Sequence, residues 1–470
     1  MADLPRACII GAGSSGIAAC KTFVEAGIPF DCFETSDRIG GMWAFKTSLG
    51  GTSAYRSLHI NTSRRQLEYS DFKMTGDCPE FPHHSRVYRY FEDYVDHFGF
   101  RDRITFNCEV AKCERTADGL WRVALGNGES RIYDALMVAN GHHWDPRWPD
   151  PPFPGSFDGD SIHSHDYVSP TEPVDCVGKN AVIVGMGNSA LDIACELGLV
   201  GNARRTYLSV RRGYYIVPKY IGSDTLDEDD PHPSETPPLS YWLVPKRIKR
   251  WLRKRKIEAA IGRPEDYGLP KPDYPYGATH PTISSEILIR IGSGDVIPKP
   301  NIAELRGRQV AFVDGSVVDA DVIVYATGYN ITFPFFDAGL VSAPNNELPL
   351  FERVVHPDYH NLYFIGLIQP LCATMPIAEL QSRWIAELLT GSYALPPQRE
   401  IEDQTFTFHE NMKSRYLASP RHTIQIDCTE YARDLRKEIR AGRRRAKRQG
   451  NTPTIPARAA SRVMDSMAAE

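Results

Sequence analysis

Apolar and polar positions alternate in blocks along this chain, and two of those blocks read alike. Ala7-Cys-Ile-Ile10 is a short, wholly apolar run, as a strand buried on both faces requires. Gly11 to Gly16 forms a turn, and Ile17, Ala18, Cys20, Lys21, Val24 and Ala26 fill a helix that Gly27 stops. Phe30-Asp-Cys-Phe33 is the next strand. The same order returns later, with a strand at Ala181–Val184, a turn at Gly185–Ala190, a helix at Leu191–Leu197 and a strand at Thr206–Val210. Two strand–turn–helix–strand starts predict an α/β fold with two dinucleotide-binding domains, because one such helix start holds one pyrophosphate.

Ala135–Ala139 reads as a buried strand ending in the turn Asn140-Gly141, and Asp321–Tyr329 repeats that pattern. Residues 144–160, rich in Pro, Trp and Gly, suit a linker. Residues 224–240, acidic and Pro-rich, suit an exposed loop. Thr374-Met-Pro376 precedes Ile377, Leu380, Trp384 and Leu388, an apolar helical stripe with proline in the first turn. From about residue 435 the chain is basic, then small and polar, which predicts disorder.

Length and charge narrow the function. The 470 residues are enough for two or three domains, and the net charge of −5 is no signature of a nucleic-acid binder. No run of 18 apolar residues occurs, so no integral membrane anchor is expected. Ten cysteines lie scattered without a CxxC pair, which predicts reduced thiols and a cytoplasmic protein, without a zinc site or a redox-active disulfide. The basic runs Lys246–Lys256 and Arg436–Arg448 read as a solvated helix face and a soluble tail, with contact to an anionic membrane surface as the sharper alternative.

The candidate chemistry sits in the glycine turns. In Gly11-Ala12-Gly13-Ser14-Ser15-Gly16 the glycines permit the tight turn, the approach of a pyrophosphate and close helix packing. Glu34, at the end of the next strand, can accept ribose hydroxyls. In Gly185-Met-Gly187-Asn188-Ser189-Ala190, alanine replaces the third glycine. The following strand ends in Ser209-Val-Arg211-Arg212 in place of an acid, which predicts NADP(H) over NAD(H), since guanidinium groups pair with a 2′-phosphate.

Phe157-Asp-Gly159-Asp-Ser-Ile-His163-Ser-His-Asp-Tyr167 fits F-x-G-x-x-x-H-x-x-x-Y, and here the chain resembles the flavin-containing monooxygenases, class B flavoprotein monooxygenases of soluble bacterial type. It is similar to that family also at Glu34 through Gly41-Met42-Trp43, at Asn61-Thr62, at Tyr69–Phe72, at Ala326–Tyr329 and at Gly366–Pro370. Baeyer–Villiger relatives usually carry Trp followed by Pro or Asp where this chain has Tyr167-Val168, and Ile60 departs from a small polar residue common in the family.

The resemblance implies FAD at the first turn and NADPH at the second, in an FAD domain of residues 1–169 and 283–432 with an NADPH domain, 170–282, inserted, and a tail of 433–470. It implies that a hydride reduces the flavin, that oxygen adds to give a C4a-hydroperoxyflavin, and that the distal oxygen passes to an amine or sulfide, with indole included. The substrate and O2 are then the partners, and a homodimer is compatible. Asn61 is the implied catalytic residue, beside flavin and nicotinamide. Gly41, Met42, Trp43, Thr62, Val110 and Gln369 join the flavin-site candidates, and Asp192 joins those at the second turn. His163 and Tyr167 read as links between domains. The rivals are a Baeyer–Villiger enzyme acting on ketones, a disulfide reductase, disfavoured by the missing cysteine pair, and a non-catalytic FAD-binding protein held on membranes by its basic segments.

Overall fold

The computed structural model describes residues 4–49, 53–417, 419 and 422–452. Two five-stranded parallel sheets organise it. In the first, β1 (Ala7–Ile10) lies in the centre, with β2 (Phe30–Phe33) and Ile104–Thr105 on one side and Ala135–Val138 and Leu362–Phe364 on the other. Ala7 pairs with both Phe30 and Ala135. The chain order therefore reverses at the carboxyl end of β1, the place where open α/β sheets leave a crevice for ligands. In the second sheet Asn180–Val184 is flanked by Arg205–Ser209 and Val322–Tyr325, with Val296–Lys299 and Asp160–His163 at the edges. The central strand of each sheet is buried along its whole length, which is why neither alternates in polarity.

The second sheet reaches further than the expected insertion of 170–282. It takes Asp160–His163 from before that range and Val296–Lys299 and Val322–Tyr325 from after it. The expected linker 144–160 contributes Gly155–Phe157, which pairs with Leu305–Gly307. Apolar runs announce strands, but they carry no label for the sheet each strand joins.

The end of the chain differs more. Cys428–Arg448 is a 21-residue helix, where disorder was expected from 433. Tyr431, Leu435, Ile439, Gly442 and Ala446 are buried, and steps of three and four place them on one face. The high density of Lys and Arg hides this stripe from a reading of composition. Charge is also paired: Tyr393 donates to Glu438 (2.7 Å), which Arg445 also meets, and Arg443 donates to Glu387. Residues 453–470 of the expected tail lie outside the described residues.

The expectation of reduced thiols fails at one pair. Gln369–Pro370 runs parallel to Gln425–Ile426, and just beyond this two-residue ladder Cys372 and Cys428 form a disulfide. The other eight cysteines are free. The 224–240 segment is likewise less exposed than expected, since Thr225, His232 and Pro233 are buried. No helix among the described residues is long and apolar enough to cross a membrane.

If the last helix belongs to the core, its small residue should be irreplaceable. A Cβ on Gly442 would enter the ring of Tyr393, which is fully buried and cannot swing away. Gly442→Ala should cost about 1–3 kcal/mol, the usual range for overpacking. A lower urea midpoint at unchanged slope would show it, whereas an unchanged midpoint would mean that this helix is not packed as described.

Candidate functional site

The first crevice is built by backbones that approach where side chains are missing. The α1 helix (Ser14–Ala26) starts at Gly13, whose own side chain is absent, leaving the first N–H groups open to an anion. Gly11 has φ +98°, and a Cβ on it would stand 2.7 Å from the Ala139 carbonyl oxygen. A Cβ on Gly16 would overlap the Gly11 carbonyl, and one on Gly13 would stand 3.6 Å from the Gly41 Cα. The Gly41–Trp43 turn is held here by the Gly40 N–H, which donates to the Ala12 carbonyl (3.0 Å). A Cβ on Gly366 would overlap Ser15 Oγ and stand 3.4 Å from Thr374 Cγ2. The start of the Thr374–Leu389 helix therefore comes to the start of α1, and the Tyr69 hydroxyl donates to the Ser14 carbonyl (2.6 Å).

Glu34 is buried, and its oxygens are already in use. Ala12 N donates to Oε2 (2.7 Å), while Ser36 N and Oγ donate to Oε1 (2.9 and 2.8 Å). A carboxylate has about four acceptor positions, so room for one further donor remains. Cys108 N donates to the Glu34 carbonyl (3.0 Å), which brings the segment leading to Val110 beside the strand end. Val110 itself is buried in the apolar cluster of Cys8, Ile10 and Phe33. Met42 is half-buried and Trp43 is buried. Gln369 is half-buried, and its N–H donates to Ile424 (2.7 Å).

The second crevice repeats the geometry. Gly185 has φ +137°, and a Cβ on it would overlap the Ala326 carbonyl. Gly187 caps the Asn188–Leu197 helix, on which Ala190 is buried. Asn188 Oδ1 accepts from Ile283 N (2.9 Å), and Thr282 Oγ1 donates to the Met186 carbonyl (2.8 Å), so the turn is pinned from outside. Ser189 is half-buried beside it. Ser209 is buried and donates to Pro300 (3.0 Å). The two arginines differ. Arg212 makes a bidentate pair with Asp273 (2.7 and 3.0 Å) and lies 5.2 Å over the Tyr274 ring. Arg211 is exposed and makes no ion pair among the described residues.

Between the crevices, two phenolic hydroxyls reach carboxylates on the Asn188–Leu197 helix, one of them from the first unit. Tyr55 donates to Asp192, and Tyr167 donates to Glu196 (2.8 Å). Burial raises the Asp192 carboxyl to about 6, against a partial lowering by Tyr55 and Lys219. Burial also lowers the ammonium of Lys219, which faces Asp192 and Glu286. Asn61 and Thr62 are half-buried, and Asn61 Oδ1 is a buried acceptor with no donor among the described residues. Its loop is fixed on both flanks. Ile60 N donates to Pro82 (3.0 Å), and Ser63 N donates to Asp227 (2.8 Å), a residue of the segment expected to be an exposed loop.

Residues 5–444 match the family model described as flavin-binding monooxygenase-like. This chain belongs to that family. It is 35% identical over 444 residues to flavin-containing monooxygenase 5 of Oryctolagus cuniculus, covering 92% of this chain and 82% of that one. It is 33% identical over 450 residues to dimethylaniline monooxygenase [N-oxide-forming] 2 of Pan troglodytes, covering 93% and 83%. Among solved structures, it is similar to S-allyl-L-cysteine S-oxygenase from Allium sativum, with TM-score 0.68, 24% identity and coverage of 95% and 92%. It is also similar to an open form of cyclohexanone monooxygenase, with TM-score 0.68, 17% identity and coverage of 94% and 98%. At such identities the structures establish the shared two-domain fold.

Flavin-containing monooxygenases are NADPH- and O2-dependent flavoproteins, and both crevices fit their cofactors. Each cradle is a place that a Cβ would fill, each ends at an open helix start, and the second offers a guanidinium, Arg211, with no ion pair among the described residues. Spacing alone found the turns, Glu34 and the arginine pair. It missed Asp273, 61 residues from Arg212, and the partners of two residues already singled out, Tyr55 for Asp192 and Glu196 for Tyr167. No local signal marks those partners. Gly366, named through the resemblance, proves to have a positive φ and a close approach to Ser15 that only glycine allows.

Two outcomes test this geometry. Arg211→Ala should raise the NADPH Michaelis constant more than Arg212→Ala does, with little change for NADH in either, because Asp273 already neutralises Arg212. Equal effects, or equal loss with NADH, would remove the phosphate from Arg211. Asp192 binds a proton more tightly folded than unfolded between pH 3.8 and about 6. Its contribution to stability is therefore greatest in acid and falls as pH rises through about 6. Relative to Asp192→Asn, the unaltered protein should lose stability across that window and level off above it, as followed by chemical denaturation at several pH values.

Proposed function

We propose that this chain is an FAD- and NADPH-dependent monooxygenase that transfers one oxygen atom of O2 to a soft nitrogen or sulfur nucleophile. The balance is NADPH, a proton, O2 and an amine or sulfide giving NADP+, water and the N-oxide or S-oxide. The flavin supplies the redox chemistry when bound; the residues described above bind and orient. The Gly11–Gly16 turn and Gly41 hold the pyrophosphate against the start of α1, Glu34 offers one acceptor to the ribose, and Arg211 takes the 2′-phosphate of the nicotinamide cofactor.

The observation that carries this reading is Asn61. Its Oδ1 is buried without a donor among the described residues, on a loop braced at Ile60 and Ser63. A buried acceptor without a partner is costly, and a bound N–H group would satisfy it. An amide positions without titrating, so it offers no proton at neutral pH to divert the oxygen transfer. The N-oxide-forming relative, at 33% identity, supports a nitrogen substrate. A sulfide follows from the same preference of an electrophilic oxygen for a polarisable lone pair. The likeness to cyclohexanone monooxygenase is one of fold, at 17% identity, and carries less weight for ketones.

Purified enzyme is incubated with NADPH, O2 and a tertiary amine, a thioether or cyclohexanone, and products are measured by mass spectrometry. N-oxide or S-oxide should exceed lactone. Lactone in excess overturns the substrate class. Asn61→Ala should keep its flavin absorbance and lose product formation by roughly a hundredfold, the scale for removing a positioned polar group. Product near the unaltered level would remove Asn61 from the reaction.

A further inference from the structure

A cavity of about 370 Å³ lies apart from both crevices. One wall is the loop Tyr274–Ala278 together with Arg250, from the helix Lys246–Ile261. The other is Ser414–Leu417, where the helix Gln398–Arg415 ends. The Leu417 N–H donates to the Ala278 carbonyl (2.9 Å), which ties the two walls together. Among the described residues that line it, none belongs to a glycine turn, and Glu34, Asn61, Arg211 and Arg212 take no part.

The charges around it are matched, except one. Arg415 donates to Asp427 (3.2 Å) and Glu430 (2.9 Å), and Lys246, one turn before Arg250, meets the same two carboxylates. Arg253, one turn after Arg250, meets Asp230 (2.9 Å). Arg250 itself is half-buried and makes no ion pair among the described residues. The facing loop leaves room for it: Gly277 has φ +84°, and a Cβ there would stand 3.2 Å from Arg250 Nε. The opposite wall holds a second unsatisfied donor. Tyr416 is 5% exposed, and its hydroxyl is buried with no hydrogen-bond partner among the described residues. A buried donor without an acceptor is costly, so both groups call for an acceptor from a ligand. Tyrosine rings supply much of the remaining lining. Tyr276 is half-buried, and Tyr274 is buried and fixed, since its hydroxyl donates to the Gly213 carbonyl (2.9 Å) and Arg212 lies 5.2 Å over its ring.

We propose that this cavity binds a small aromatic carboxylate. One carboxylate offers acceptors to both the Arg250 guanidinium and the Tyr416 hydroxyl. Flat rings pack well on tyrosine faces, and the volume lies at the small end of ligand pockets, which suits about two fused rings. The unmatched positive charge repels ammonium groups, so this ligand differs in charge from an amine that is oxygenated. Inorganic phosphate would satisfy the arginine and leave the rings uncovered.

The full, FAD-loaded chain is titrated with 2-naphthoate in a calorimeter, with NADP+ present to fill the second crevice. The naphthoate should bind. The uncharged 2-naphthamide and inorganic phosphate should each bind roughly tenfold more weakly or worse. Arg250→Gln and Tyr416→Phe should each weaken 2-naphthoate by roughly tenfold, the scale of one hydrogen bond to a charged group. Arg247→Gln, which removes an exposed arginine of the same helix outside the cavity, should leave its affinity unchanged, and so should Asn61→Ala. Retained flavin absorbance reports the fold of each variant. Hydrogen exchange needs no variant: 2-naphthoate should slow it in 274–278 and 414–417 and leave the Asn61 loop as it was. No binding, equal binding of 2-naphthamide or phosphate, or protection only outside those two segments would overturn the proposal. So would an affinity lost in Asn61→Ala and kept in Arg250→Gln, which would place the naphthoate in the reaction site.

Discussion

The rest of the structure depends on backbones meeting where a methyl group cannot stand. Gly11 lies against Ala139, Gly16 against Gly11, Gly13 near Gly41, and Gly366 against Ser15. Each contact fixes the distance between a sheet, a helix and a loop from distant parts of the chain. Together they bring the starts of α1 and the Thr374–Leu389 helix to one place. Side chains would push these elements apart and close the crevice from within. The absence of atoms is therefore the specific instruction here, and the hydrophobic core behind it supplies the force that holds the gap in shape.

The second constraint is electrical. Asp192 and Glu196 sit on the helix that opens the second crevice, and Asp192 takes a phenolic hydrogen from Tyr55 of the first unit, while Glu196 takes one from Tyr167, just beyond the edge strand Asp160–His163. Such bonds cost little compared with a buried charge left alone, and they tie the two nucleotide crevices into one working geometry. Ser63 and Asp227 do the same for the loop of Asn61. The acidic segment between the strands of the second unit thus serves as scaffolding for a residue some 160 positions earlier in the chain.

What the sequence made legible was local. A strand, a glycine turn and a helix lie within thirty residues, so Gly11–Gly16, Glu34 and Gly185–Ala190 could be read from spacing. What stayed hidden was pairing over distance. Nothing near Arg212 announces Asp273, and nothing in Val322–Tyr325 says that it lies beside Asn180–Val184. The final helix was obscured differently. Eight basic residues among thirteen dominate its composition, while the stripe that holds it, Tyr431 to Ala446, depends on angle alone. Composition sums over a helix; burial reads only one side of it.

The cradle also sets an order of events in synthesis. Its parts leave the ribosome far apart, with the first turn complete at residue 16 and its partner helix beginning at 374. At ordinary elongation speeds roughly half a minute separates them. The second sheet, spanning residues 160 to 325, is complete within that interval. The nascent chain can thus close its later nucleotide crevice first, while the earlier sheet waits with the outer edge of Ala135–Val138 unpaired until Leu362–Phe364 is made. Loading of the flavin is in this sense a finishing step, and the interval before it is when the chain most needs protection from aggregation.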